Sequence, residues 1–309
     1  MNAKRGALLT CDEEVSRIAN ATSPRSDKRT RFEISEDGFI ELEERYNDAT
    51  GCSIADQYKT VDRLGDQAAG VFHMAWSLRK LRSIIDADVI NINDTALMAA
   101  LAWTNMFRHV VDAWEHHPRF PQIARALGYP GSFLHTASML MIADYLYSVG
   151  QPVGLTVETE QSGPNPDLYI PGVGGTKLFI EVKCPEHLQW PHGEKLTPPE
   201  VSAIVRRKLK RSSSQINRKH PGILMIGSTV HRPEITAALA NEIPKVLRAK
   251  GRDHKGLAAM GYFAFKDFHI YLQGGKLRSD FNFRVEASLN DYFDGPNPVL
   301  ISSSPRSPR

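Results

Sequence analysis

Val71, Met74, Ala75, Leu78 and Leu81 recur at intervals of three and four, the spacing that gathers side chains on one face of an α-helix. The helical signal begins near Ser53 and continues in a second stripe of Leu97, Leu101, Phe107, Val110, Val111 and Trp114. Asp94 precedes that stripe as a plausible N-cap, and Pro118 stops it. After Pro130-Gly131 a third helix is predicted over 132–149. Its middle, Met139-Leu140-Met141-Ile142-Ala143, is apolar nearly all round, which predicts a buried helix, and Gly150 suits its C-terminal cap.

Beyond Gly150 the period falls to two. Strands are predicted at 153–159, 167–170 and 177–183. The last two are separated by Pro171-Gly172-Val173-Gly174-Gly175, which reads as a hairpin turn. A polar loop over 184–199 with four prolines leads into a long basic helix, 199–219, and an apolar strand, 223–230. A helix over 233–250, with Pro244 as a kink or break, is followed by strands at 257–265, 269–273 and 281–287. No internal repeat is visible. Residues 1–50 lack a sustained apolar period and are expected to form a polar, partly disordered arm with one short element at 38–42. The chain thus divides into this arm, a helical region 51–128, an α/β domain 129–300 and a disordered tail 301–309, with the main boundary in 118–130.

Composition narrows the class. The 309 residues are 41% hydrophobic and 24% charged, a mix that excludes whole-chain disorder and fibrous or disulfide-scaffold proteins. Cys11, Cys52 and Cys184 are few, odd in number and far apart, so no disulfide framework is implied. The N-terminal apolar stretch is broken by Asp12, Glu13 and Glu14, and no run approaches the roughly 18 apolar residues of a membrane span. A soluble, cytoplasmic protein without a membrane partner is expected. The net charge is only +3, so any electrostatic signal must come from where charges cluster.

The chemistry is concentrated around the hairpin. On a strand, side chains alternate faces, so Glu181 and Lys183 share one face while Val182 points to the other, into a core. Asp167 and Glu181 stand seven residues either side of Gly174, so a symmetric hairpin sets them opposite each other with Cβ atoms ~5 Å apart. Two carboxylates at that distance repel, and a divalent cation between them removes the conflict. Hard oxygen ligands in small number suit Mg²⁺. A lysine on the same face can hold or help deprotonate a water beside a phosphodiester.

Pro166-Asp167 followed by Glu181-Val182-Lys183 resembles the PD-(D/E)XK pattern of restriction-endonuclease-like nucleases. The predicted order over about 130–230, α-β-β-β-α-β, is similar to the core of that superfamily, and the resemblance covers about a third of the chain. It implies an α/β restriction-endonuclease-like fold, a mixed central sheet flanked by helices, with a helical N-terminal region. It also implies that Asp167, Glu181 and the Val182 carbonyl bind Mg²⁺, with Mn²⁺ as a substitute, and that Lys183 assists the water nucleophile. The implied reaction is hydrolysis of a DNA phosphodiester, in restriction, defence or repair, with RNA as an alternative substrate. A homodimer would supply the two sites that cutting both strands calls for. Many members carry a glutamate on the first core helix, and 132–149 has none; His135 and Asp144 are the residues there that could substitute. The departure leaves a second reading open, a catalytically inactive nuclease fold that binds nucleic acid or a partner protein.

Between Val201 and His220 lie Arg206, Arg207, Lys208, Lys210, Arg211, Arg218 and Lys219, with no acidic residue. Such a helix beside a metal site would position a duplex through its phosphates. Helical spacing puts Arg207, Lys210, Arg211 and Arg218 on one outward face, making them the strongest phosphate contacts and Arg206 the weakest of the named set. Gln215 is added because some branches of the resembled family use a helix glutamine near the site. Cys184, His187 and His192 match no standard zinc spacing.

Overall fold

The computed structural model describes residues 32–85, 91, 93–155, 167–171, 177–212, 215–230, 232–274 and 276–295. The arm before Phe32, Pro166, the centre of the hairpin turn and the tail from 301 lie outside the described residues. The elements in chain order are β1 (Phe32–Glu33), α1 (Glu36–Thr50), α2 (Ile54–Leu64), α3 (His73–Arg82), α4 (Thr95–Trp114), α5 (Phe120–Gly128) and α6 (Phe133–Ser148). There follow β2 (Gly154–Leu155), β3 (Leu168–Pro171), β4 (Lys177–Lys183), α7 (Pro198–Ser212), β5 (Gly222–Ser228), α8 (Pro233–Lys250), β6 (Leu257–Gln273) and β7 (Lys276–Leu289).

The strands form one mixed sheet in the order β1-β7-β6-β5-β4-β3-β2. β4, β5 and β6 run parallel, and the remaining pairs are antiparallel. Two successive parallel steps in one direction, each with the usual right-handed crossover, put both connecting helices on the same face. Accordingly α7 and α8 share a hydrophobic cluster with Leu224, Ile226, Met260 and Tyr262. The opposite face, carrying Ile180, Val182, Ile223, Met225 and Phe263, packs against the N-terminal helices in a larger core. β5 is therefore buried along its whole length, which is why 222–228 reads as a continuous apolar run rather than an alternation. No helix of the described residues is long and apolar enough to cross a membrane.

Several elements follow the sequence pattern closely. Asp94 caps α4, its Oδ1 accepting the N–H groups of Ala96 at 2.9 Å and Leu97 at 3.2 Å. α6 is buried over most of its circumference, and Gly150 follows it with φ 80°, a conformation glycine adopts without strain.

Others differ, for identifiable reasons. Where a loose arm with a short element at 38–42 was expected, residues 36–50 form a full helix. Ser35 caps α1 by accepting the Gly38 N–H, and Phe39, Leu42 and Tyr46 supply a sparse inward stripe among acids. Arg82 of α3 ties it down by pairing with Glu36 at 2.8 Å and Glu43 at 2.6 Å. Within 118–130, residues 120–128 form α5, which packs on both sides of the expected boundary: its buried face belongs to the same core as Leu42, Tyr46, Phe133 and Ala137. The basic helix ends at Ser212 rather than 219. The Ser212 hydroxyl donates to the Leu209 carbonyl at 2.9 Å, the kind of local side-chain bond that competes with helix continuation. Asn217 Oδ1 then accepts the Lys219 and His220 N–H groups and fixes a turn. α8 runs through Pro244 unsplit. The strands expected at 257–265 and 269–273 are one strand with a bulge between Phe265 and Asp267, and β7 is twice the expected length because it pairs along all of it.

Candidate active site

The β3–β4 pairing matches Leu168 with Ile180, Tyr169 with Phe179 and Ile170 with Leu178. One step further along the same register, Asp167 faces Glu181. The sequence reading anticipated this opposition from the symmetry of the turn. Leu168–Ile180 is the last pair of the ladder among the described residues, and Asp167, Glu181 and Val182 stand at that end of it, the fork between the two strands. Phe179 N–H donates across to Pro221 at 2.9 Å, toward β5, so the alternate residues 180 and 182 present their backbone toward β3. Asp167 Oδ2 accepts the Val182 N–H at 2.6 Å. A strand residue's carbonyl points to the same side as its N–H, so the Val182 carbonyl also opens into the fork.

Side chains alternate as the pattern requires. Val182 is fully buried in the core with α6, while Glu181 and Lys183 are aligned with Leu224 and Ile226 and so face the layer of α7. Glu181 is 1% exposed, unusual for a carboxylate. Its Oε1 pairs with the Lys183 ammonium. Its Oε2 is buried with no hydrogen-bond partner. Burial, and next the charge of Asp167, raise the Glu181 pKa to about 7, against the opposing pull of Lys183 and His135.

His135, on the first turn of α6, completes the cluster. Its Nε2 lies 3.0 Å from Asp167 Oδ1. Burial disfavours the imidazolium, but the Asp167 hydrogen bond and charge outweigh it and leave the His135 pKa raised. Asp144, the other α6 residue considered as a glutamate substitute, is taken up elsewhere, with His109 of α4 at 2.9 Å.

Among the described residues no group of three or more His, Cys, Asp or Glu side chains is arranged to hold a metal ion. A closed zinc site needs four protein ligands, whereas Mg²⁺ keeps several waters and is held through one or two carboxylates plus phosphate oxygens. Asp167, Glu181 with its unpartnered Oε2, and the Val182 carbonyl are hard oxygen donors meeting at one fork, and they fit the second pattern.

The basic segment is only partly as expected. Arg207, Lys210 and Arg211 are exposed on α7. Arg206 is exposed too, and its charge adds to Lys245 and Ser202 in holding the Glu242 carboxyl of α8 below its ordinary value. Gln215 and Arg218 lie beyond the helix end, and Arg218 pairs with Asp294 at 3.1 Å. Neither shares a helical face with Arg207 and Arg211, because the serine break at 212 redirects the chain. Lys208 belongs to the basic segment but not to the phosphate contacts expected from helical spacing. It is half-buried, and burial first, then Arg211, Arg207 and Lys183, lower its pKa. It therefore links the helix cations to Lys183. Its place next to the inward Leu209, one turn before Arg211, was the available signal.

The Cys184 thiol is held in its protonated form. Burial pushes its thiol up to about 12, and its Sγ lies 3.5 Å from the Leu134 carbonyl. The His187 and His192 rings pack edge to face at 6.2 Å, and His192 pairs with Glu186 at 3.3 Å.

No protein-family model matches this chain, and no curated protein or solved structure shows significant similarity to it.

Proposed function

We propose that this chain is a metal-dependent nuclease of the PD-(D/E)XK kind that hydrolyses phosphodiester bonds in DNA. One observation carries the reading: Asp167 and Glu181 oppose each other where β3 and β4 fork, with a buried, unpartnered Glu181 Oε2 and with Lys183 on the Glu181 face. The order α6-β2-β3-β4-α7-β5 supports the corresponding core, and the parallel β4–β5 step with α7 as its crossover is compatible with it.

In this reading Asp167, Glu181 and the Val182 carbonyl hold Mg²⁺, or Mn²⁺ in its place. When bound, the ion neutralises charge on the phosphodiester and lowers the pKa of water. The chain's own groups do the rest. The Lys183 ammonium, on the same face as Glu181, orients the attacking water and offers a proton-transfer partner beside the phosphate. His135 holds Asp167 through Oδ1 while Val182 N–H holds Oδ2, so the carboxylate is fixed from two sides. Arg207, Lys208 and Arg211 draw the phosphate backbone toward the fork without reading sequence. Water oxygen bonds to phosphorus, one P–O ester bond breaks, and the departing oxygen takes up a proton.

A second reading has its own support. Lys183 already pairs with Glu181 Oε1 without an ion, and α6 carries no glutamate. A nuclease fold that binds nucleic acid or a partner protein without cutting would look the same. Incubation with supercoiled DNA, linear DNA and RNA separates the readings. Cleavage in Mg²⁺ or Mn²⁺ that stops on chelation, with binding but little cleavage in Ca²⁺, is expected, since Ca²⁺ takes more ligands in looser geometry. Binding without cleavage of any substrate in Mg²⁺ favours the silent fold. Cleavage of RNA alone redirects the substrate.

A further inference from the structure

β7 is paired along its whole length by β6, yet on its other edge, among the described residues, it has a strand partner only at Arg278 and Ser279. That partner is β1, and the Ile34 N–H just after it donates to the Leu277 carbonyl at 2.8 Å. Backbone groups alternate sides along an antiparallel strand, so Phe281, Phe283, Val285 and Ala287 turn theirs to the same edge as Leu277. The side chains alternate without a break. Leu277, Phe281, Phe283, Val285 and Ala287 all pack on the larger core, so Arg278, Asp280, Arg284 and Glu286 share the opposite face. The bulge of the hairpin lies in β6 and leaves this alternation intact. Such an edge is a ready template for another strand.

The place where β1 begins, and the direction in which it runs, single out an occupant. Phe32 stands opposite Ser279 and Glu33 opposite Arg278 in an antiparallel pair, so each residue before Phe32 falls one step further along β7. That register sets Arg31 opposite Asp280, Asp27 opposite Arg284 and Arg25 opposite Glu286, three pairs of opposite sign on one face. The series already has its first member: the Glu33 carboxylate lies 3.8 Å from the Arg278 guanidinium and 2.8 Å from the Lys276 ammonium. The match is specific to this register. A slip of two residues one way opposes Arg29 to Arg284 and Asp27 to Glu286; a slip of two the other way opposes Arg31 to Arg278 and Arg25 to Arg284. Pro24 marks the far end, since it lacks the N–H that pairing opposite Ala287 calls for.

We propose that residues 25–31 of this chain dock as an added strand on the open edge of β7, continuing β1 and held in register by the three charge pairs. The inference goes beyond the nuclease reading and stands without it.

Paired cysteines in the full chain, with Cys11→Ser as background, test it. Arg29→Cys with Asn282→Cys places two thiols directly opposite each other and leaves all three charge pairs intact. Cβ atoms of such a pair stand about 5 Å apart, close enough for a disulfide after a small adjustment. Mild oxidation should link them within one chain, as read by peptide mapping. Arg29→Cys with Ser288→Cys, six residues off the register, should close at least about tenfold more slowly, because six strand residues span roughly 20 Å. Asp27→Lys should slow closure of the matched pair by up to about fivefold, the effect of turning a favourable cross-strand pair repulsive, and adding Arg284→Glu should recover much of the rate. Melting temperatures control for folding of the rest of the chain. Failure of the matched pair to close, equal closure of both pairs, or a rate indifferent to Asp27 overturns the proposal. A disulfide joining two chains assigns the edge to a second copy and overturns it as well.

Discussion

The Asp167 carboxylate accepts the Val182 N–H at 2.6 Å, a donor that in a continuing antiparallel ladder would bond to the carbonyl two residues beyond Leu168. One side chain thereby satisfies a backbone donor of the fully buried Val182. Asp167→Asn keeps an oxygen acceptor there, whereas Asp167→Ala leaves the N–H of a fully buried residue unpaired. Both remove the repulsion with Glu181, so their difference isolates the cap. The asparagine variant should be the more stable by about 1–3 kcal/mol in urea unfolding. Equal stability would contradict the capping role.

The pH dependence of the metal-free protein follows from Glu181 and His135. The fold raises Glu181 from 4.5 to about 7. Its contribution is fully present below about 4.5 and is lost as pH rises through about 7. His135, raised above 6.5, acts with the same sign: its contribution is present below 6.5 and lost as pH passes its raised value. Thermal stability should therefore fall between pH 5 and 8. Glu181→Gln should flatten that fall, and Mg²⁺ should restore stability mainly at the upper end, where the carboxylate is free to bind. An unchanged pH profile in Glu181→Gln would contradict the assignment.

The cations on and after α7 separate into two groups. The charges of Arg207, Arg211 and Lys183 all reach Lys208, while Arg218 is paired with Asp294 and the charge of Arg206 reaches Glu242. Changing Arg207 and Arg211 together to Gln should weaken binding alike for unrelated DNA sequences. It should flatten the slope of log K against log salt by nearly two, at about 0.9 per lost contact. Arg206→Gln and Arg218→Gln should change that slope little. A fall for one sequence only would mean that the helix reads bases.

Cys184 follows Lys183 directly and is half-buried, with burial of its thiol pushing it up to about 12. Native protein at pH 8 should resist alkylation at Cys184, as read by mass spectrometry, and denaturant should expose it. Rapid native labelling would show that the fork opens far enough to uncover it.

The legible parts of the site were those set by local symmetry. Asp167 and Glu181 lie equally far from Gly174 in the sequence, and the strand period fixes which side chains share a face, so the opposition of the two acids and the place of Lys183 beside Glu181 could be read from spacing alone. His135 could be named as a possibility, but its choice over Asp144 depends on His109, thirty-five residues from Asp144, taking that acid. The length of α7 was misjudged because charge pattern continues past Ser212 while the backbone does not. α1 was foreshortened to 38–42 because three inward residues among acids make a weak stripe, and its anchor, Arg82, comes from a distant helix.

The central claim, that Asp167, Glu181 and Lys183 form a metal-dependent hydrolytic site, is tested most directly by one measurement: cleavage of supercoiled DNA in Mg²⁺ by the wild type and by Asp167→Asn, Glu181→Gln and Lys183→Ala, at matched folded concentration. The account predicts that the wild type cuts and that each substitution abolishes cutting, while melting temperatures of the two acid variants hold or rise because a repulsive pair has been relieved. Full cutting by any one of the three folded variants would contradict it.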